Sequence, residues 1–282
     1  MMPEKMGTSG ARAMGPVATL DSAALSGRDY LDCFSGSERR KILGTRNSQR
    51  RLEGLAGRLA AKFLFLNEHS GDRLSAPSPI HLTPAHLDRF SAPEYRSAEV
   101  VRSGEVRAGL PWISRPGRNG GQNVAIAHTN GFACALLGNE VPANGGAADE
   151  EAVSVDIERA EARPPAFYSG SFTIHERSWA AAVSSRLRLH LAWTFTFLWT
   201  AKECLLKTPW FHHLSIADLP SLNIRIASGE EQLVHPHFAR DFLAGFVFLQ
   251  ADAACRTRTV SVDLAVSGRH DLVLTALQRR IP

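Results

Sequence analysis

The run Val153-Ser154-Val155-Asp156-Ile157-Glu158 most constrains what this chain can fold into. Its β-branched residues predict a strand, and alternation along a strand puts Asp156 and Glu158 on one face. Further along, Trp199-Thr200-Ala201-Lys202-Glu203-Cys204-Leu205-Leu206-Lys207 reads as a helix, with Glu203 and Lys207 sharing a face and Trp199 one turn earlier. If the helix packs on the strand, three carboxylates and one ammonium converge. Carboxylates are the hard oxygen donors that Mg²⁺ takes, and proteins hold Mg²⁺ between carboxylates and substrate phosphates. The competing reading is a solvent-facing acidic strand and a surface Glu–Lys pair.

The chain has 282 residues, 44% hydrophobic and 21% charged, enough for one large or two smaller globular domains. A formal net charge of +4 favours an anionic cofactor or an acidic partner. Arg and Lys are dispersed, which argues against nucleic acid. The four cysteines, Cys33, Cys134, Cys204 and Cys255, form no CxxC and read as reduced and mostly buried. The apolar stretch Leu191 to Trp199 is too short for a membrane span, and the N-terminus lacks a secretory apolar core. A cytoplasmic location without membrane attachment is expected.

Residues 1–25 lack hydrophobic periodicity and predict a disordered tail. Ser37 to Leu66 reads as one or two helices, with Ser48 as a cap and Leu52, Leu55, Leu59 and Phe63 as an apolar stripe. Strands are expected at Asn123 to Ala127 and Gly131 to Leu137, with His128 to Gly131 as the turn. Gly138 to Glu150 reads as a linker, giving an N-terminal half over 26–140 and a C-terminal half over 141–282. In the second half, helices are expected at Ile174 to Ser185 and Leu189 to Lys207. Strands follow at Leu222 to Ile226, Phe242 to Gln250, Thr259 to Val266 and Leu272 to Leu277. The Ala61-Lys62 and Ala201-Lys202 pairs align in a weak internal echo, with Phe63 standing where Glu203 stands.

Five segments in order resemble the 4′-phosphopantetheinyl transferase superfamily in its two-half, surfactin-type form. Val155-Asp156-Ile157-Glu158 resembles the family's metal strand, and Trp199 to Lys207 its W-S/T-x-K-E-x-x-x-K helix. Ala127-His128-Thr129 resembles its S-H-S/T turn, Gly109-Leu110-Pro111 its G-K-P, and Arg50 to Arg58 its basic helix ending in L-A-G-R. Ser154 stands in place of the glycine before the metal strand. Leu110 stands in place of a lysine, so one phosphate-binding charge is missing.

The resemblance implies an α+β fold of two pseudo-symmetric halves, each a small antiparallel sheet packed with helices, with a ligand cleft between them. It implies transfer of 4′-phosphopantetheine from coenzyme A to a serine of an acyl or peptidyl carrier protein, releasing adenosine 3′,5′-bisphosphate. Asp156, Glu158 and Glu203 would hold Mg²⁺. Glu203 would be the general base, Lys207 would meet the departing phosphate, and Lys202 would lie beside the phosphates. His128 and Thr129, with Gly109, Pro111, Arg50, Arg51 and Arg58, would bind coenzyme A. The carrier protein is expected to be acidic and the enzyme a monomer. Two rival readings are another Mg²⁺-dependent phosphoester hydrolase and a non-catalytic module that binds coenzyme A or a carrier protein.

Overall fold

The computed structural model describes residues 14–71, 79–102, 111–115, 121–141, 151–211, 213–226, 247–255, 258–269 and 271–280. The first half contains β1 (Val17–Asp21), α1 (Gly36–Leu43), α2 (Ser48–His69), β2 (Ile80–Leu82) and two short helices, α3 (Pro84–Leu87) and α4 (Ala92–Arg96). It continues with β3 (Glu99–Arg102), β4 (Pro111–Ser114), β5 (Gly121–Thr129) and β6 (Phe132–Val141). The second half contains β7 (Glu151–Arg159), α5 (Pro165–Ser171), α6 (Ile174–Leu187), α7 (Leu191–Leu206), β8 (Asn223–Ile226), β9 (Val247–Cys255), β10 (Arg258–Arg269) and β11 (Leu272–Arg280).

The fold is α+β. One sheet has the order β2-β1-β6-β5-β4-β3, the other β7-β11-β10-β9-β8. Apart from β2, which adds in parallel to β1, all pairings are antiparallel. Without β2, both sheets share one connectivity: the half's first strand pairs with its last, and the others follow in reverse chain order.

Each sheet turns one face to its long helix and the other to the opposite half. Ala18 and Leu20 join the core under α2, while Val17 meets Val153, Val155 and Ile157 in an apolar layer shared by both halves. Close approach to the sheet explains Gly57 of the L-A-G-R segment. A Cβ there would lie 2.5 Å from Ile126 Cγ2, so only glycine lets α2 come this near.

Both halves are anchored by the same buried device. Glu38 sits in the capping box that starts α1, and Glu176 in the one that starts α6. In the first half, Lys62 Nζ donates to Glu38 at 2.7 Å and to the carbonyls of Cys33 and Tyr95, each at 3.1 Å. In the second, Lys202 Nζ donates to Glu176 at 2.8 Å and to the carbonyls of Ser171 and Leu219, each at 2.9 Å. The other oxygen of each glutamate accepts a strand amide, Val100 for Glu38 and Ile224 for Glu176. Phe34 and Phe172 lie beneath the two ammonium groups. Burial pulls both lysines below their ordinary range, and the paired glutamate opposes that pull.

Several expectations change. The tail over 1–25 is wrong for its described part: Val17–Asp21 is strand β1, flanked by β2 and β6 and buried at four of its five residues. A strand this short, buried on both faces, shows no alternation, so periodicity could not reveal it. Residues 1–13 lie outside the described part, as do 142–150 of the expected linker, whose first residues instead complete β6. His128 and Thr129 end strand β5, and the turn is Asn130-Gly131, both with positive φ, as a two-residue hairpin demands. Asn47 caps α2 in place of Ser48. Leu52 is exposed, because the buried face of α2 begins at Glu53. All four cysteines are free and buried, and no described helix is long and apolar enough to cross a membrane.

Removing one partner of a fully buried, fully bonded pair strands the other charge. Lys202→Met is therefore expected to lower unfolding stability by about 3–5 kcal/mol, and Lys62→Met by a similar amount. Urea denaturation of each variant against the parent measures this; a change below about 1 kcal/mol would show that the pairs are not anchors.

Candidate functional site

Strand alternation sets the site. Val155 and Ile157 face the shared apolar layer, which turns Asp156 and Glu158 toward the helix side of their sheet. Asp156 is 7% exposed. Its Oδ1 accepts from Lys207 Nζ at 2.6 Å, and Lys207, the C-cap of α7, also donates to the Val155 carbonyl at 3.2 Å. Its Oδ2 is buried without a hydrogen-bond partner among the described residues. Burial pushes the Asp156 carboxyl up to about 6; Lys207 opposes this and Glu203 adds to it.

Glu158 accepts from the Thr129 hydroxyl at 3.0 Å, a bond between the halves, and Arg163 stands 3.8 Å from it. Burial raises Glu158, and the charge of Asp156 raises it further. Burial likewise raises Glu203, with Lys207 opposing and Glu158 adding. Asp156, Glu158 and Glu203 thus share one electrostatic neighbourhood, and each would gain from a cation.

The donor set fits a hard divalent ion: three carboxylates, partly desolvated, with one buried oxygen unpaired. No group of three or more His, Cys, Asp or Glu side chains among the described residues is already gathered to hold a metal. As arranged, the Lys207 ammonium supplies the positive charge beside Asp156. Beside Glu158 lies a cavity of about 170 Å³, lined by Arg163 and by the aromatic rings of Phe167, Tyr168, Phe195 and Trp199.

A second cluster lies on the first half. Glu53 of α2 is buried, and its Oε1 accepts from the Gly131 amide at 2.8 Å and from Gln49 Nε2 at 3.1 Å. Its Oε2 lies 3.1 Å from His128 Nδ1 and 3.8 Å from Arg50. Arg50 NH1 also lies 3.1 Å from the same His128 nitrogen. Burial lowers His128, with Glu53 opposing, while Arg50 and Lys207 lower it further.

The structure therefore joins Lys207 to Asp156, leaves Glu158 and Glu203 in their electrostatic neighbourhood, and places His128 next to Thr129, which bonds Glu158. Lys202 does not join them. It is fully buried with all three ammonium donors used, because Lys202 and Glu203 point to different sides of α7. Arg51 donates twice to the Thr45 carbonyl and Arg58 donates to Gly54, so both help close the backbone around α2. Pro111 opens β4, and Gly109 and Leu110 lie outside the described residues. The sequence reading missed Glu53, Glu176 and Arg163. Glu176 had a signal, the Thr173-x-x-Glu176 capping box. Glu53 had none beyond its place one turn after Arg50.

The shared connectivity gives each site residue a counterpart in the first half. Aligning the Lys–Glu anchors and the paired strands puts Ala18 opposite Asp156, Leu20 opposite Glu158, Phe63 opposite Glu203 and Asn67 opposite Lys207. All four counterparts are buried, and the first three are core. No protein-family model matches the chain, and no curated protein matches it.

The Asp156 carboxyl fixes the sign of a pH effect. Its proton is held to about pH 6 in the folded chain, against an ordinary value of 3.8. The stability this lends is complete below the ordinary value and is lost as pH rises through about 6. In metal-free buffer, Asp156→Asn should melt at higher temperature than the parent at pH 8 and at the same temperature near pH 3, as thermal melts across that range will measure. A lower melting temperature at pH 8 would mean that the ionised carboxylate stabilises the fold.

Proposed function

We propose that the protein transfers 4′-phosphopantetheine from coenzyme A to a serine hydroxyl of an acyl or peptidyl carrier protein, with Mg²⁺ as cofactor. The observation that carries this reading is the contrast between the halves. Ala18, Leu20 and Phe63 build a sound apolar core at positions where the second half has Asp156, Glu158 and Glu203. The frame does not need carboxylates there, and burying them costs stability. Groups that cost stability and converge are those a function retains.

Asp156, Glu158 and Glu203 would hold the ion. When bound, Mg²⁺ neutralises charge on the pyrophosphate and its leaving group. Glu203, whose proton affinity burial has raised, takes the proton of the carrier serine. The serine oxygen bonds to the phosphorus that bears pantetheine, and that phosphorus loses its bond to the bridging oxygen. Adenosine 3′,5′-bisphosphate leaves, and Lys207 offers its ammonium to the departing phosphate. Its net proton affinity is raised by Asp156 and Glu203 over the opposing effect of burial, so it remains charged throughout. His128 and Arg50 present donors to a further phosphate of coenzyme A. Lys202 acts indirectly, by fixing how α7 turns Glu203 toward β7.

A net charge of +4 favours the encounter with an acidic carrier. Two halves in one chain support a monomer, since the second half needs no neighbouring copy to complete the frame.

Intact mass of an apo carrier protein, incubated with this protein, coenzyme A and Mg²⁺, tests the reading. The carrier should gain one phosphopantetheine, and EDTA should prevent the gain. Glu203→Gln should abolish the gain while coenzyme A still binds. No mass gain across several acyl and peptidyl carriers would reject transfer. Release of phosphopantetheine without an acceptor would then indicate a hydrolase, and binding without turnover a non-catalytic module.

A further inference from the structure

The nitrogen shared by Arg50 and Glu53 poses a problem in donors and acceptors. A guanidinium only donates and a carboxylate only accepts, yet both stand 3.1 Å from His128 Nδ1. Nδ1 satisfies one of them at a time. As a bare nitrogen it accepts from Arg50; as N–H it donates to Glu53. The side chain is 32% exposed, and its Nε2 makes no hydrogen bond among the described residues.

Glu53 is built to accept that proton. It is held on its other oxygen by the Gly131 amide and the Gln49 side chain, so it cannot turn away. The charges facing His128 are Glu53 and Arg50 from α2 and Lys207 from the end of α7. Two of the three are cations, which leaves Glu53 as the group that can support an imidazolium.

We infer that Glu53 is a positioning residue that converts His128 to an imidazolium when a phosphate arrives, and that the same step frees Arg50 for the phosphate. Before binding, Nδ1 accepts from Arg50 and the ring is neutral. An anion at Nε2 favours a second proton on the ring. That proton comes from solvent and sits on Nδ1 against Glu53. Arg50 loses its acceptor and turns its donors to the same anion. One proton is taken up, no bond to phosphorus changes, and the site gains two cationic donors from one event. This inference rests on the coenzyme A reading, from which the choice of phosphate ligand comes.

The test is calorimetry of adenosine 3′,5′-bisphosphate binding at pH 8, in two buffers of different ionisation enthalpy. EDTA keeps metal-linked protons out of the balance. At pH 8 the ligand phosphates have already lost their second protons, so uptake reports the protein. The parent should take up roughly one proton per site. Glu53→Gln, which keeps an acceptor for Gly131 and has nearly the same shape, should abolish uptake and weaken binding roughly tenfold. His128→Gln, with Glu53 intact and its ring partly exposed, should also abolish uptake, which guards against a folding defect in the first variant. Parent-like uptake and affinity in Glu53→Gln, or persistent uptake in His128→Gln, would overturn the inference while leaving the coenzyme A reading in place. No binding of the bisphosphate by the parent, either in EDTA or in a companion titration with Mg²⁺, would remove that reading, and this inference with it.

Discussion

Much of this architecture depends on two buried ammonium groups. Lys62 and Lys202 each join a capping box, a strand amide and two carbonyls of short helical turns through one glutamate and one set of donors. An ion pair in such a place does not gain much over an apolar substitute, because both charges must first be desolvated. Its value is directional. A hydrocarbon side chain would allow α7 to rotate against its sheet, whereas three hydrogen bonds at fixed angles do not. The direction in which Glu203 and Lys207 point is set one residue away, by a lysine that never meets solvent.

That rigidity is turned to account on β7. Asp156 and Glu158 occupy positions on the helix-facing side of a sheet, where apolar residues would pack without difficulty. The strain is electrostatic: three acids whose proton affinities are all raised, one ammonium among them, and one carboxylate oxygen without a partner. Burying carboxylates in this way costs stability as long as no further positive charge lies beside them. The bond from Thr129 to Glu158 extends the arrangement across to the first half.

The candidate site residues of the second half stand out in the sequence because they lie in contiguous patterns. Asp156 and Glu158 alternate on a β-branched strand, and Glu203 and Lys207 share a helical face. The four longer helices and most strands follow from the same periodicities, whereas the short α3, α4 and α5 do not. What stayed hidden depends on contacts distant in sequence. The role of Lys202 could not be read from its neighbours, because Glu176, Ser171 and Leu219 converge on it only in the folded chain. Glu53 carries no local signature because its partners Gly131 and His128 are distant in sequence. Strand β1 was lost because burial on both faces erases alternation. The echo between Ala61-Lys62 and Ala201-Lys202, slight in the sequence, is the trace of the repeated anchor.

The first half shows what the second would be without its buried acids. With Ala18, Leu20, Phe63 and Asn67 in place of the acids and the lysine, the same connectivity closes as an ordinary core. The first half carries its own polar cluster at a different place, around Glu53 and His128. One connectivity thus accommodates two linings, hydrocarbon beneath α2 and carboxylates beneath α7.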